Sequence, residues 1–497
     1  MAKIKEYILS IDQGTTGSTA MLLDDKGHLV SSANVPFKQL YPKEGWVEHK
    51  PSDIIRSVKR AIAKTLDQSN VTSENIKSIG ITNQRETVVF WNKKTGKTYG
   101  NAIVWQCRRT SLEIEKMKKE GCESWVKKKT GLTLDPYFSG SKIAWFLKRF
   151  KDSKKDLCIG TIDSYLIWTL TKGQSFFTEP SNASRTMLFN LKNQNWDKEL
   201  LDYFKVDECN LAKVIHSDGD FGSVKGFNPL TDGTPIRAVL GDQQSSLYGH
   251  GAFKSGEAKC TYGTGSFILM NTGDKKVNSK NGLLSTVAWS LTGKKTTYAL
   301  EGGAFNCASC IDWFTKTMGV ISKADMIGPE AMKVQDSHGV LFAPTFSGLG
   351  APYWNSTTRG AFVGLTLGVE KAHLCRSVLE GLSFQNELIF KALEKDSKQK
   401  IAKIFVDGGA SNSDEFMKIQ SAFSQKTFIR PTNIETTALG VGLLAGQSMG
   451  LYKRKGSHSL NHPEKEFRLS QSSKVNKTLK SYDELFKCLK KTPFATL

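Results

Sequence analysis

Near the start of the chain, Tyr7-Ile8-Leu9-Ser10-Ile11 forms a nearly continuous apolar run that stops at Asp12 and the turn residues Gln13-Gly14-Thr15-Thr16-Gly17. Ala20-Met21-Leu22-Leu23 then resumes the pattern. Short apolar runs bounded by turn residues predict a strand, a polar glycine turn and a returning strand. A third strand is predicted at 29–37, a helix around 54–66, and further strands at 76–82 and 102–105. This mixture implies an α/β sheet. Past the midpoint the device recurs: Ala258 to Tyr262 leads into Gly263-Thr264-Gly265, and Phe267 to Met270 returns. Strands at 283–289 and 296–300, a long helix at 371–394 and a strand at 401–406 follow. Two related α/β halves are the simplest account. They divide at 1–250 and 251–497, join near 240–256, and leave a cleft between them as the natural site.

Composition narrows the class. A chain of 497 residues with 39% hydrophobic and 24% charged residues is globular, not disordered, collagenous or membranous. Lysine and arginine total 69 against 48 acids, a net charge of +21 that favours anionic partners. The basic clusters, such as Lys127-Lys128-Lys129 and Lys154-Lys155, have no interleaved aromatics and read as solvated surface, so no nucleic-acid partner is expected. Nine scattered cysteines fit a reducing cytoplasm, and Cys307-Ala308-Ser309-Cys310 reads as two small buried side chains on a helix. Met1-Ala2-Lys3-Ile4-Lys5 lacks the apolar core of a signal peptide. The uncharged stretch 436–452 is too rich in glycine for a membrane span and predicts a buried, close-packed helix.

The turns carry the candidate chemistry. Either Gly/Thr turn alone is an ordinary hairpin. Paired across two halves, with an acid ending the first strand, they suit phosphate oxygens, which backbone N–H groups and hydroxyls hold best where no Cβ intervenes. Asp12 is then placed for Mg²⁺, which takes one or two carboxylates together with substrate phosphates. No GxxxxGK[ST] loop occurs. Asp407-Gly408-Gly409 ends a strand before a helix at 414–423, where a nucleotide could pack or where the glycines simply make a tight connection. Asp242, after the strand at 236–240, is the candidate general base, with a capping acid on a surface turn as the alternative. Arg85-Glu86 suits a polyol as well as it suits a surface ion pair. Trp105 and Tyr137 either wall the same pocket or fill a core.

Together these segments, with Gly45-Trp46-Val47-Glu48-His49, Gly80 to Thr87, Asn101 to Thr110, Asp135 to Gly140, Asn182 to Thr186 and Gly241 to Gln244, resemble the FGGY carbohydrate kinase family in order from residue 8 to about 446. The resemblance implies two ribonuclease-H-like domains of the actin/hexokinase type flanking a central catalytic cleft, and ATP-dependent phosphorylation of glycerol to glycerol 3-phosphate. It implies glycerol binding by Arg85, Glu86, Trp105, Tyr137, Asp242 and Gln243, with Asp242 also the base. It places phosphate at Gly14, Thr15, Thr16, Gly17 and Thr264, the adenine-side turn at Gly409, and Mg²⁺ at Asp12. It also carries the family's tendency to form dimers or tetramers.

Some positions depart from the family pattern. Thr19 stands where an arginine is usual, and Ala308, Asp312 and Ser413 stand where glycine, glutamine and asparagine are common. The bacterial Gly-Gly-x-Arg regulatory loop has no counterpart at 231–237, so feedback by a sugar bisphosphate is not implied. Rival readings are a pentulose or tetritol kinase of the same family and a binding protein that has lost turnover. An ordinary aspartate is ionised at neutral pH, so the base needs no shifted pKa.

Overall fold

A computed structural model describes residues 5–355, 357–453, 461–470 and 472–491, which leaves Met1 to Ile4 of the amino-terminal reading outside the described residues. The first sheet holds β1 (Tyr7–Gln13), β2 (Gly17–Leu23), β3 (Leu29–Pro36), β4 (Ile76–Asn83) and β5 (Ile236–Gly241), in the order β5-β4-β1-β2-β3. The second holds β6 (Ala258–Tyr262), β7 (Ser266–Gly273), β8 (Leu284–Trp289), β9 (Thr297–Ala304), β10 (Lys403–Asp407), β11 (Thr427–Pro431) and β12 (Pro463–Phe467). Its order is β8-β9-β7-β6-β10-β11-β12. Strands β3-β2-β1 pair antiparallel and β1-β4-β5 parallel. The run β9-β7-β6-β10-β11 repeats that pattern strand for strand, with β8 and β12 added at the edges. The repeat predicted from two glycine turns is thus a repeat of whole sheets.

The helices expected around 54–66, 371–394, 414–423 and 436–452 are present, among others that the sequence pattern did not predict. Helix α1 (Pro51–Ser69) starts with proline at a position that needs no N–H, and buries Ile54, Val58, Ala61, Ile62 and Leu66 on one stripe. Residues 242–249, within the expected join, form helix α2 (Asp242–Gly249) instead of a loop. Helix α3 (Lys371–Ser397) and helix α4 (Asp414–Ser424) pack with the second sheet. Helix α5 (Thr436–Ser448) carries the uncharged stretch and lies with α2 between the sheets. Its glycines permit that approach: a Cβ on Gly440 would stand 1.8 Å from the Ser245 carbonyl oxygen. Ile8 and Leu240 of the first sheet, Leu247 of α2, Phe405 and Ile429 of the second sheet and Val441 of α5 form one core, so the halves are joined by buried apolar contact. Among the described residues no helix is long and apolar enough to cross a membrane.

The pattern overstated one strand. The run at 102–105 pairs only over Ala102–Ile103, in a small sheet with Glu48–His49, Val88–Asn92 and Leu157–Thr161 that the sequence reading missed. Trp105 leaves the ladder because its N–H donates to Thr87 Oγ1 at 3.1 Å.

Candidate active site

Strands β1, β4 and β5 run parallel with level carboxyl ends, Gln13 beside Asn83 and Asn83 beside Gly241. Ligands of open α/β sheets gather outside such ends. Asp12 lies one residue before the end of β1, Arg85 and Glu86 follow β4, and Asp242 follows β5 as the first residue of α2. Parallel pairing thus brings distant stretches of chain to one edge.

Around Arg85 the edge is dense with charge. Arg85 Nε lies 2.9 Å from Asp242 Oδ1, and its two terminal nitrogens donate to Glu301 at 2.6 and 2.7 Å. Arg185 reaches Glu86 at 2.6 Å and Glu301 at 3.2 Å. All but Asp242 are almost wholly buried. Burial alone would raise the Glu301 carboxyl, but Arg185 and Arg85 hold it at about 2. For Glu86 burial outweighs the arginines and pushes the carboxyl up. Glu86 also takes a left-handed φ of 62°, rare for a side chain of this size, which turns the chain sharply beside the site.

Asp242 is the reachable acid of this group, its side chain 27% exposed against 2% for Arg85. Oδ1 forms an ion pair with Arg85 and accepts from the Gln243 N–H at 2.7 Å, whereas Oδ2 has no hydrogen bond from the described residues. The sequence reading took this residue for an ordinary carboxylate. Burial instead pushes its pKa up, only partly offset by Arg85, the Gln243 N–H and Lys259. Asp12 is pushed further, well above the usual carboxylate range, by burial and then by the charges of Asp242 and Glu435. Among the described residues no group of three or more His, Cys, Asp or Glu side chains is arranged to hold a metal ion, so a Mg²⁺ ion at Asp12 would take its other ligands from water and substrate phosphates.

Trp105 ties the regions together. Its indole N–H donates to Thr15 Oγ1 at 2.9 Å, its ring meets Tyr137 edge to face at 5.5 Å, and Phe267 of β7 stands 6.0 Å away. Trp105 and Tyr137 line a cavity of about 330 Å³ with Arg108, Phe305 and Phe346. The two rings share a cavity, but not the one expected with the charged pair: Arg85, Glu86 and Asp242 are not among its lining residues.

Each glycine turn is closed by a backbone bond from its first glycine, to the third residue on in one and to the second in the other. Gly14 N donates to Gly17 O at 2.9 Å, and Gly263 N donates to Gly265 O at 3.0 Å. Thr16 and Thr264 are exposed and Thr15 half-buried, with its hydroxyl on Trp105. Gly17 sits apart from this group: it is buried, and a Cβ there would stand 3.0 Å from Asn34, so the structure gives it a packing reason. Thr19 accepts from Asn34 Nδ2 at 2.9 Å and supplies no charge.

Thr264 and Gly409 line a second cavity of about 580 Å³, walled by Ile311, Ile327, Leu379 and Phe416. Ala308, Asp312 and Ser413, the three departures from the family pattern, line it too. Cys310 lies on the short helix Ala308–Asp312 and Cys307 one residue before it; both are buried thiols.

Sequence reasoning missed Glu301, Arg185 and Lys259. Lys259 is a fully buried cation of β6 that donates to Gln243 Oε1 and, at 2.6 Å, to Thr261 Oγ1. Two of the three, Glu301 and Lys259, have a faint signal. Glu301 falls between Leu300 and Gly302, and Lys259 between Ala258 and Cys260, in otherwise apolar runs, where a charge needs a partner.

Comparison with known proteins places the chain. Residues 7–249 match the N-terminal and 258–449 the C-terminal domain of the FGGY family of carbohydrate kinases. A glycerol kinase of Bdellovibrio bacteriovorus is 44% identical over 480 residues, 95% of this chain and 97% of that protein. One from Treponema denticola is 42% identical over 482 residues, 96% of this chain and 97% of that protein. The crystal structure of Plasmodium falciparum glycerol kinase with ADP superposes with a TM-score of 0.88 at 32% identity, covering 97% of this chain and 98% of that one. A ligand-bound xylulose kinase from Lactobacillus acidophilus shares the fold, with a TM-score of 0.87 at 23% identity over 97% of this chain and 98% of that one.

Proposed function

The chain belongs to the FGGY family of carbohydrate kinases, and from that premise we propose that it transfers the γ-phosphoryl group of ATP to a terminal hydroxyl of glycerol, giving glycerol 3-phosphate and ADP. The observation that supports the reading is the level edge of β1, β4 and β5, which brings Asp12 and Asp242 to the same end of one sheet, on either side of β4, with Arg85 after β4 paired to Asp242. We take residues 1–250 and 251–497 as the lobes that bind alcohol and nucleotide.

Phosphoryl transfer has a loose transition state, so positioning and electrostatics matter more than base strength. Asp242 Oδ2 accepts the hydroxyl proton while Oδ1 stays on Arg85, which holds the carboxylate in one orientation. Glu86, Arg85 and Gln243 contact the hydroxyls, and Trp105 and Tyr137 cover the carbon face and exclude water. Thr15, Thr16, Gly14 and Thr264 hold the phosphates from both sides, and Gly409 borders the nucleoside. Asp12 would hold Mg²⁺, whose charge would supply neutralisation of the phosphate oxygens.

Glycerol is favoured over a pentulose because this chain shares 41–44% identity with glycerol kinases over most of its length. Rates of ADP release across glycerol, tetritols and pentuloses test this. Glycerol should give the highest kcat/KM, and a higher value for a pentulose would reassign the substrate.

A further inference from the structure

Lys259 touches neither glycine turn, yet it sits directly behind Gln243. Its ammonium can only donate, so the Gln243 atom it meets is Oε1. That contact fixes the amide's orientation: Oε1 faces inward, and Nε2, with no acceptor among the described residues, is the end left to a ligand. The lysine is held in turn. Its second bond goes to Thr261, which lies 3.5 Å from Ser246; Ser246 donates to Asp407 at 2.6 Å, and His250 meets the same carboxylate oxygen at 2.8 Å. Thr436 of α5 also donates to that oxygen. This buried knot joins α2, β6, β10 and α5, that is, both lobes.

We propose that Lys259 is a positioning residue for the alcohol: by holding Gln243 Oε1 it presents Nε2 as a donor to a substrate hydroxyl, and it fastens that donor to the strand leading into the second phosphate loop. The proposal rests on the function reading above and adds a specificity device to it. A fixed donor favours an oxygen acceptor and leaves an unpaired buried N–H opposite an analogue that lacks the hydroxyl.

Lys259→Met keeps the length and removes the donor. Without nucleotide, its glycerol dissociation constant by calorimetry should rise about tenfold, the size of one lost hydrogen bond to a buried group. The glycerol KM should rise in parallel, with kcat and the ATP KM changed by less than about twofold to threefold. In a Gln243→Met background the lysine change should cost nothing more in glycerol affinity, because the two act through one contact. Additive losses, or an equal rise in the ATP KM, would mean a merely structural lysine and overturn the proposal.

Gln243→Glu gives a second route should Lys259→Met fail to fold. It keeps an acceptor for the ammonium but has no donor, so glycerol affinity should fall by a similar factor with the melting temperature preserved. Undiminished affinity in that variant overturns the proposal. If the unmodified chain neither binds nor phosphorylates glycerol, the function reading fails and takes this inference with it. Normal binding by Lys259→Met defeats the inference alone.

Discussion

Around Arg85 nearly every polar contact is one charged side chain meeting another, whereas the cavity at Thr264 and Gly409 sets Ile311, Ile327, Leu379 and Phe416 beside the scattered polar side chains Asp312, Asp325, Asn412, Ser413 and Glu415. On the function proposed above, the Arg85 end is the one that holds a small uncharged triol, and buried, mutually paired charges supply it with fixed donors and acceptors that need no rearrangement on binding. The nucleotide end faces a large ligand with a flat base and several phosphates, for which shape and main-chain N–H groups suffice. The first end is therefore brittle and the second tolerant, which explains how Ala308, Asp312 and Ser413 can depart from the family pattern in a chain whose Arg85, Glu86 and Asp242 do not.

Breaking the charged end should have the largest effect. Glu301→Gln leaves two buried guanidiniums facing a neutral amide and should cost about 3–5 kcal/mol in urea unfolding. The pH dependence has a definite sign. Glu301 is depressed from 4.5 to about 2, so its contribution is complete above pH 4.5 and fades as pH falls toward 2. The stability gap between native protein and variant should close over that window; a gap unchanged in acid would argue against the ion network.

Trp105→Ala removes the bond to Thr15 and one wall of the pocket, and should lower kcat/KM for glycerol about 10- to 100-fold by steady-state kinetics. Equal losses in both KM values would mean that Trp105 does not belong to the alcohol side alone.

Effects at the nucleotide end should be smaller and confined to ATP. A Cβ at Gly409 meets no protein atom within 4 Å, whereas one at Gly408, at φ +82°, would stand 2.6 Å from the Tyr262 carbonyl oxygen. Gly409→Leu should therefore fold normally and raise the ATP KM about tenfold by occupying nucleotide space. Ser413→Asn, which restores the common family residue, should change the ATP KM by only about twofold, read from the same assay. A large gain there would show that the tolerant end is less tolerant than its walls suggest.

The same contrast governs what was legible in the sequence. The strand that carries Asp12, the strand that leads into Asp242 and the two glycine turns are local signals, an apolar run followed by polar turn residues, and their places in the fold follow from that pattern. Arg85 and Glu86 were visible as a charged pair, but their partners were not: Glu301 lies 216 positions beyond Arg85 and Arg185 lies 99 beyond Glu86. Local spacing carries no trace of contacts that only sheet pairing and lobe docking create. Residues 240–256 read as a join because α2 has no apolar stripe; it is buried on nearly all sides, so its period is hidden. Asp242 looked like an ordinary acid for the same reason, since desolvation depends on neighbours brought by the fold.

The most direct test of the account is glycerol-dependent ADP release in MgATP by the unmodified protein and by Asp242→Asn, alongside glycerol binding to both by calorimetry. The account predicts turnover that falls about 10²- to 10⁴-fold in the variant, the range for loss of a general base, with glycerol still bound. Undiminished turnover by Asp242→Asn, or glycerol bound by the unmodified protein with no ADP formed, would contradict it.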